Sequence, residues 1–341
     1  MSRTLDDSLT AGTPAGRAGA LLQVENLSAE YVLERGNILA VDQVSFEVAA
    51  GEFVGIVGES GCGKSTLLFG IAQLLAPPAH VSGGSVRFQG ANLVGLTDKQ
   101  LSLVRWRNMS VVMQSAMNAL NPVTSIGAQF SDAMRAHGVS SKEEIAQRSA
   151  EVLRMVGIDP LHLKSYPHQL SGGMRQRSMI AMAMLFTPDL VIMDEPTSAL
   201  DVVAQRSLMV QVKELQQQLG FAVIFVTHDI SLVRHFTDRL MVMYAGQIAE
   251  FGPTGQVFES PLHPYSVGLL EAFPSIHGPK VPLTGIPGSP PDLGNLPEGC
   301  RFAPRCPQVM DRCLTTEVPL YRVGGVQVRC LLQEDGEVVS D

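Results

Sequence analysis

Residues 58–65 read Gly-Glu-Ser-Gly-Cys-Gly-Lys-Ser, and three glycines in six positions forbid a regular helix or strand there while leaving both flanks free to be regular. Before the loop runs Phe-Val-Gly-Ile-Val at 53–57, an apolar segment of strand length; after it, 64–74 has the pattern of a helix. The chain is therefore expected to pass from a buried strand through a glycine-rich turn straight into a helix. The spacing G-x-x-x-x-G-K-S fits a phosphate chain. Gly58, Glu59, Ser60, Gly61, Cys62, Gly63, Lys64, Ser65 and Thr66 would line it, with backbone N–H groups on phosphate oxygens, Lys64 at the outer phosphates and the Ser65 hydroxyl on Mg²⁺.

Four further segments carry compatible chemistry. Residues 190–193 are apolar and end on Asp194-Glu195, two carboxylates at the edge where open α/β sheets bind ligands. Asp194 is suited to holding Mg²⁺ through water, and Glu195 to polarising an attacking water as a general base. Leu170-Ser-Gly-Gly-Met-Arg-Gln-Arg177 would present the Ser171 hydroxyl, the bare backbone of Gly172 and Gly173 and a helix N-terminus to an anion, although a simple Ser cap reads the same way. Gln114 closes an apolar run at 109–113, and His228 follows another at 222–227.

In order and spacing these five segments resemble the nucleotide-binding subunit of an ATP-binding cassette (ABC) transporter, over nearly the whole chain after about residue 20. The resemblance implies an α/β P-loop NTPase fold with a RecA-like core, a small N-terminal antiparallel β subdomain, an inserted helical subdomain and a loop-rich C-terminal extension. It implies ATP and Mg²⁺ as ligands, with Lys64, Glu195 and His228 catalytic and Gln114 sensing Mg²⁺ beside Ser65 and Asp194. Ser171, Gly172 and Gly173 would face the ATP of a second, related ATPase subunit, and Ser198, Ala199, Leu200 and Asp201 would contact that subunit. Tyr31 falls where the family stacks an aromatic ring on adenine, or it covers the edge of the small N-terminal sheet. Cys62 reads most simply as a spacer in the loop; its place beside Lys64 and a helix N-terminus offers the alternative of a lowered thiol pKa and a residue open to alkylation unless ATP protects it. Many members have an acidic residue and Pro where this chain has Ser115 and Ala116.

Along the chain, 22–32, 44–48 and 53–57 read as strands, 141–156 and 202–219 as helices, and 190–193 and 222–227 as strands buried on both faces of a largely parallel sheet. The expected division is a disordered tail at 1–20, a nucleotide-binding domain at 21–255 whose helical subdomain covers about 115–185, and an extension at 256–341. There is no internal repeat. A formal charge of −8 without a basic run excludes a nucleic-acid surface. The longest apolar stretch, 179–193, is interrupted by Thr187-Pro188-Asp189, so no membrane span is expected, and residues 1–20 lack the apolar block of a secretory signal.

Four of the five cysteines, Cys300, Cys306, Cys313 and Cys330, fall in the proline- and glycine-rich extension with no C-x-x-C pair. The segment from His263-Pro-Tyr265 to Pro304-Arg-Cys-Pro307 is similar to the extension of oligopeptide and dipeptide importer ATPases, in which four cysteines can carry an iron–sulfur cluster. A [4Fe–4S] cluster, free structural thiols and zinc all remain open on ligand type and spacing. The expected function is ATP hydrolysis energising import of di- or oligopeptides at the cytoplasmic face of the membrane, with two permeases and an extracytoplasmic binding protein as partners. Nickel, oligosaccharide or glutathione import by the same ATPase is the alternative, and a soluble non-transport ABC ATPase the rival.

Overall fold

The computed structural model describes residues 19–34, 36–114, 119–198, 200–272 and 285–339. The expected N-terminal tail up to residue 18, the departures at Ser115 and Ala116, and Ala199 of the dimer-contact loop lie outside these residues. By its contacts the chain forms two compact units, one built from 1–49, 53–96 and 228–341 and the other from 50–52 and 97–227.

In the first unit, β1 (Ala20–Leu33) and β2 (Gly36–Ala49) form an antiparallel hairpin. Strand β3 (Phe53–Val57) is buried at every position and leads through the glycine-rich loop into α1 (Lys64–Ile71). Then β4 (Ala79–Phe88) pairs with the other edge of β1 and β5 (Ala91–Asn92) with β4, giving an antiparallel sheet ordered β2-β1-β4-β5. Two of these strands exceed what residue patterns indicate. β2 begins at Gly36, eight residues before the expected 44–48 segment, and β4 contains Gly83-Gly84 in its middle. A Cβ at Gly84 would lie 2.3 Å from the Asn26 carbonyl oxygen, so β4 crosses the register shift of β1 only because that position has no side chain.

The second unit opens with α2 (Asp98–Val104), started by a reciprocal capping box between Thr97 and Gln100. Strands β6 (Met109–Val112), β7 (Leu190–Asp194) and β8 (Ala222–Val226) pair in parallel in the order β6-β7-β8. β7 and β8 are buried throughout, as their unbroken apolar runs require. Between β6 and β7 come α3 (Ile126–Ala136), α4 (Lys142–Met155) and α5 (Gly172–Ala183), the expected helical insertion; α6 (Val202–Leu219) spans the predicted 202–219. Helix α4 buries Ile145, Ser149, Val152 and Leu153, residues spaced along one helical face, and leaves its charged face outside. Arg148 on α4 donates to the carbonyls of Met184 and Leu185 at 2.7 and 2.8 Å, closing the end of α5.

The chain returns to the first unit at His228. After α7 (Ile230–Phe236), β9 (Arg239–Tyr244) runs parallel to β3 and β10 (Gln247–Pro253) turns back antiparallel to β9. Helices α8 (Thr254–Glu259) and α9 (Pro264–Glu271) follow, then three short strands, β11 (Tyr321–Val323), β12 (Val326–Val328) and β13 (Glu337–Val338), which extend the row from β10 in the order β12-β11-β13. No helix of the described residues is long and apolar enough to cross a membrane.

The start of α4 offers a local test of this reading. The Ser141 hydroxyl accepts the Glu144 N–H at 3.2 Å, with Glu143 and Glu144 in the first turn favouring the positive end of the helix dipole. Ser141→Ala is expected to lower stability by about 1 kcal/mol, read as a shift in the urea midpoint with an unchanged slope.

Candidate functional site

In the first unit the loop at 58–65 is shaped by contacts that admit no side chain. A Cβ at Gly58, φ +152°, would lie 2.3 Å from the Met243 carbonyl oxygen; one at Gly63, φ +101°, would lie 2.2 Å from that of Ala40. Lys64 is buried, and its ammonium donates to the carbonyl oxygens of Gly58 and Glu59 at 2.7 and 2.9 Å, so the lysine spans the arch of the loop. Ser65 is half-buried on the first turn of α1, while Ser60 and Gly61 are exposed on the outer side of the loop. Tyr31 lies on β1, paired to Ile38 on one side and Ala79 on the other, with its hydroxyl 3.1 Å from the Thr66 hydroxyl of α1. The ring thus belongs to an interior strand and stands beside the phosphate-loop helix rather than covering a sheet edge. His228 is exposed, one residue before Asp229, which caps α7 through the Ser231 N–H at 2.8 Å.

Of the two readings of Cys62, the structure overturns the activated thiol. The residue is 4% exposed, and burial pushes its thiol pKa up even though Lys64 stands 3.7 Å away and pulls the other way. Desolvation of a thiolate outweighs the nearby cation because the Lys64 ammonium is already engaged by two loop carbonyls. The residue is therefore a protonated spacer and not an activated thiol.

The second unit assembles a carboxylate pair. Asp194 is the last residue of β7, 2% exposed, and Glu195 follows at φ +44°, a left-handed conformation that glutamate rarely adopts. The Glu195 N–H donates to the Val226 carbonyl at 2.9 Å, and its carboxylate accepts from the Gln114 amide at 2.7 Å. Gln114, two residues past the end of β6, is thus brought onto Glu195 from 81 positions away. The turn closes through Ser198 N–H to Glu195 O at 3.2 Å and Leu200 N–H to Thr197 O at 3.0 Å, and Asp201 caps α6 through the Ala204 N–H at 2.9 Å. Ser171 caps α5 by accepting the Met174 N–H at 3.3 Å, and Gly173 on its first turn faces open space.

In the C-terminal segment the four cysteines are free thiols that line one small cavity together with His263, Phe302, Ala303 and Leu331. Cys313 and Cys330 belong to an apolar cluster with Val318, Tyr321, Val328 and Leu331, and Cys300 packs against it. Burial, reinforced by the neighbouring sulfurs, raises the pKa of Cys300, Cys306 and Cys330, that of Cys330 to about 11. Among the described residues no group of three or more His, Cys, Asp or Glu side chains is gathered closely enough to hold a metal ion. Here the structure differs from the expectation of a metal-ligating set: the sulfurs line the cavity among apolar side chains.

Residue patterns missed Arg305 and Tyr265, which both reach Glu59 of the phosphate loop. The only available signal was position, since Tyr265 and Arg305 lie in the two stretches that carry the likeness to importer extensions.

A strand, glycine loop and helix in this geometry, with a parallel strand ending in paired carboxylates, define the class as a P-loop nucleotide-binding ATPase. The family model described as ABC transporter matches residues 41–198, and that described as oligopeptide/dipeptide transporter, C-terminal region, matches 249–313. A model described as AAA domain, putative AbiEii toxin, Type IV TA system, overlaps at 163–234. The chain is 40% identical over 319 residues to the dipeptide transport ATP-binding protein DppD of Caldanaerobacter subterraneus, covering 93% of this chain and 98% of the relative. It is 41% identical to the oligopeptide transport ATP-binding protein OppD of Salmonella typhimurium, covering 90% and 92%. Among solved structures, the dimeric bacterial ABC transporter cassette MJ0796 matches with a TM-score of 0.62 and 30% identity over 68% of this chain and 98% of that one. The chain belongs to the ABC transporter ATP-binding proteins, in their oligopeptide/dipeptide branch.

The corrected state of Cys62 predicts slow chemistry. Because the thiolate is the reactive form and burial raises the pKa, alkylation of Cys62 at pH 7 is expected to be far slower in the folded chain than after denaturation, with or without ATP. Mass spectrometry of iodoacetamide adducts checks this; rapid labelling of native Cys62 that ATP suppresses would restore the activated thiol.

Proposed function

We propose that this protein is the ATP-hydrolysing subunit of an importer for di- or oligopeptides, acting at the cytoplasmic face of the membrane beneath two permeases and paired with a second, related ATPase. The observation that carries the reading is the likeness to peptide-transport ATP-binding proteins across more than nine-tenths of this chain, the C-terminal region included. We assign 21–255 to the nucleotide-binding domain and 256–341 to the extension.

In this mechanism backbone N–H groups of 58–65 and the Lys64 ammonium would bind the phosphates, Tyr31 would stack on the base, and Ser65 and Asp194 would be the residues that hold Mg²⁺. Mg²⁺ supplies neutralisation of the phosphate oxygens. Glu195 takes the role of general base, and the Gln114 amide holds its carboxylate in place. His228 would contact the terminal phosphate. Ser171, Gly172 and Gly173 would close on the nucleotide of the partner ATPase, with 198–201 against that subunit, so catalysis requires two such domains.

Two measurements test the proposal. In the assembled complex, binding protein loaded with a short peptide is expected to stimulate ATP hydrolysis, and Glu195→Gln to abolish turnover while retaining ATP binding, the amide keeping the shape and losing the base. Parental turnover in Glu195→Gln would remove that residue from the mechanism, and stimulation by a nickel complex, a sugar or glutathione with peptides inert would reassign the cargo.

We further propose that Cys300, Cys306, Cys313 and Cys330 hold a [4Fe–4S] cluster, supported by four thiols converging on one cavity. Anaerobically purified protein is then expected to be brown with roughly four irons per chain. Stoichiometric zinc, or no metal after reconstitution, would overturn it and leave the thiols as core residues.

A further inference from the structure

The C-terminal segment grips the phosphate loop at one residue. The Glu59 N–H donates to the Tyr265 hydroxyl at 3.0 Å, while its carboxylate accepts from both terminal nitrogens of Arg305, at 2.6 and 2.9 Å. Neither contact is a loose surface pair. Tyr265 is wholly buried on α9, and the Arg305 side chain is 5% exposed. Arg305 is itself fixed, its Nε donating to the Pro287 carbonyl at 2.8 Å and one terminal nitrogen also to the Tyr244 hydroxyl at 3.2 Å. Tyr244, Tyr265 and Phe302 pack around the clamp in tilted and edge-to-face contacts, with ring centroids 4.5 to 5.4 Å apart. A rotamer-locked, bidentate guanidinium–carboxylate pair is directional in a way that an exposed ion pair is not.

The location gives the clamp a purpose. Glu59 is the second residue of a loop whose remaining N–H groups must converge on phosphate, and an unpaired carboxylate there would repel a polyanion a few ångströms away. A loop that rests on glycines is also intrinsically mobile, and binding then costs the entropy of ordering it. Arg305 offsets the charge and, with Tyr265, holds the Glu59 peptide in place before nucleotide arrives.

We propose that Tyr265 and Arg305 are positioning residues of the ATP-binding loop, so that nucleotide affinity in the first unit is set in part by the C-terminal segment. The inference rests on the reading of 58–65 as the ATP loop. Nothing in the grip requires metal in the cysteine-lined cavity.

Titration of the full chain with a fluorescent ATP analogue tests it. Arg305→Met is expected to weaken binding roughly tenfold, Arg305→Lys by less because charge is kept without the fork, and Tyr265→Phe by a factor of about three. A general loosening of the C-terminal segment would also lower affinity, so the decisive comparison uses Glu59→Gln. With that carboxylate neutral, Arg305→Met is expected to cost much less than in the parent, whereas an equal cost in both backgrounds would overturn the proposal. Tyr265→Phe removes a single oxygen from a packed ring and keeps the test alive if Arg305→Met does not fold. Binding by folded Tyr265→Phe and Arg305→Lys within about twofold of the parent would also overturn it. A parent chain that fails to bind the analogue, as Lys64→Ala is expected to, would strike the ATP-loop reading itself.

Discussion

Backbone pressed against backbone is the constraint on which the first unit depends. The Gly58 and Gly63 α-carbons approach the carbonyls of Met243 on β9 and Ala40 on β2 so closely that no side chain can intervene. The Cys62 carbonyl accepts from the Gly246 N–H at 2.9 Å, and the Gly246 carbonyl in turn accepts from Asp42 N–H at the same distance. The loop therefore sits in a cradle made by the β9–β10 turn and the middle of β2, two segments remote in sequence. Arg301, from the C-terminal segment, pairs with Asp42 and donates to the Ala245 carbonyl, bracing that cradle from outside. A phosphate site built from N–H groups needs such rigidity, because misdirected dipoles contribute little.

The same segment contributes a second kind of order around its cysteines. Burial keeps Cys300, Cys306 and Cys330 in their protonated form, in which a thiol packs as a small apolar group. Conversion of the same sulfurs into ligands would require their deprotonation, and a buried thiolate is stable only when a cation compensates it. Cys306 is the chain neighbour of Arg305, so the peptide that carries one lining sulfur also carries the guanidinium that grips Glu59. The wall of the cysteine-lined cavity and the clamp consequently share a stretch of backbone.

Short motifs and two-sided burial were legible from residues alone; pairing across long distances was not. The strands at 53–57, 190–194 and 222–226 announced themselves because burial on both faces demands unbroken apolar runs, and α6 because its apolar positions repeat at helical spacing between an Asp cap and Gly220. β4 was hidden by Gly83-Gly84, which reads as a turn but serves a bulged register. The full length of β2 was hidden because Gly36 to Gln43 lacks a continuous apolar run and is held by its partner β1. Arg305 and Glu59 are 246 positions apart, and no local pattern marks which of many arginines meets which glutamate. Cys62 left two readings open for a different reason: proximity to Lys64 was readable, but the burial that outweighs it belongs to the folded state.

The backbone at the end of β7 gives two adjacent carboxylates different surroundings with a single change of φ. Asp194 is still in the strand, buried at its edge; Glu195, turned to φ +44°, leaves the strand direction and reaches the Gln114 amide instead. A left-handed glutamate costs about 1–3 kcal/mol, and such strain persists only where neighbouring bonds over-determine it. Here the Val226 carbonyl fixes the Glu195 N–H, and the Ser198 N–H fixes its carbonyl. A glycine at 195 would relieve the strain but remove the carboxylate, and an extended backbone would keep the carboxylate while aiming it away from Gln114. The strained conformation is the one that satisfies both demands, keeping a carboxylate at 195 and holding it on the Gln114 amide beside the buried Asp194.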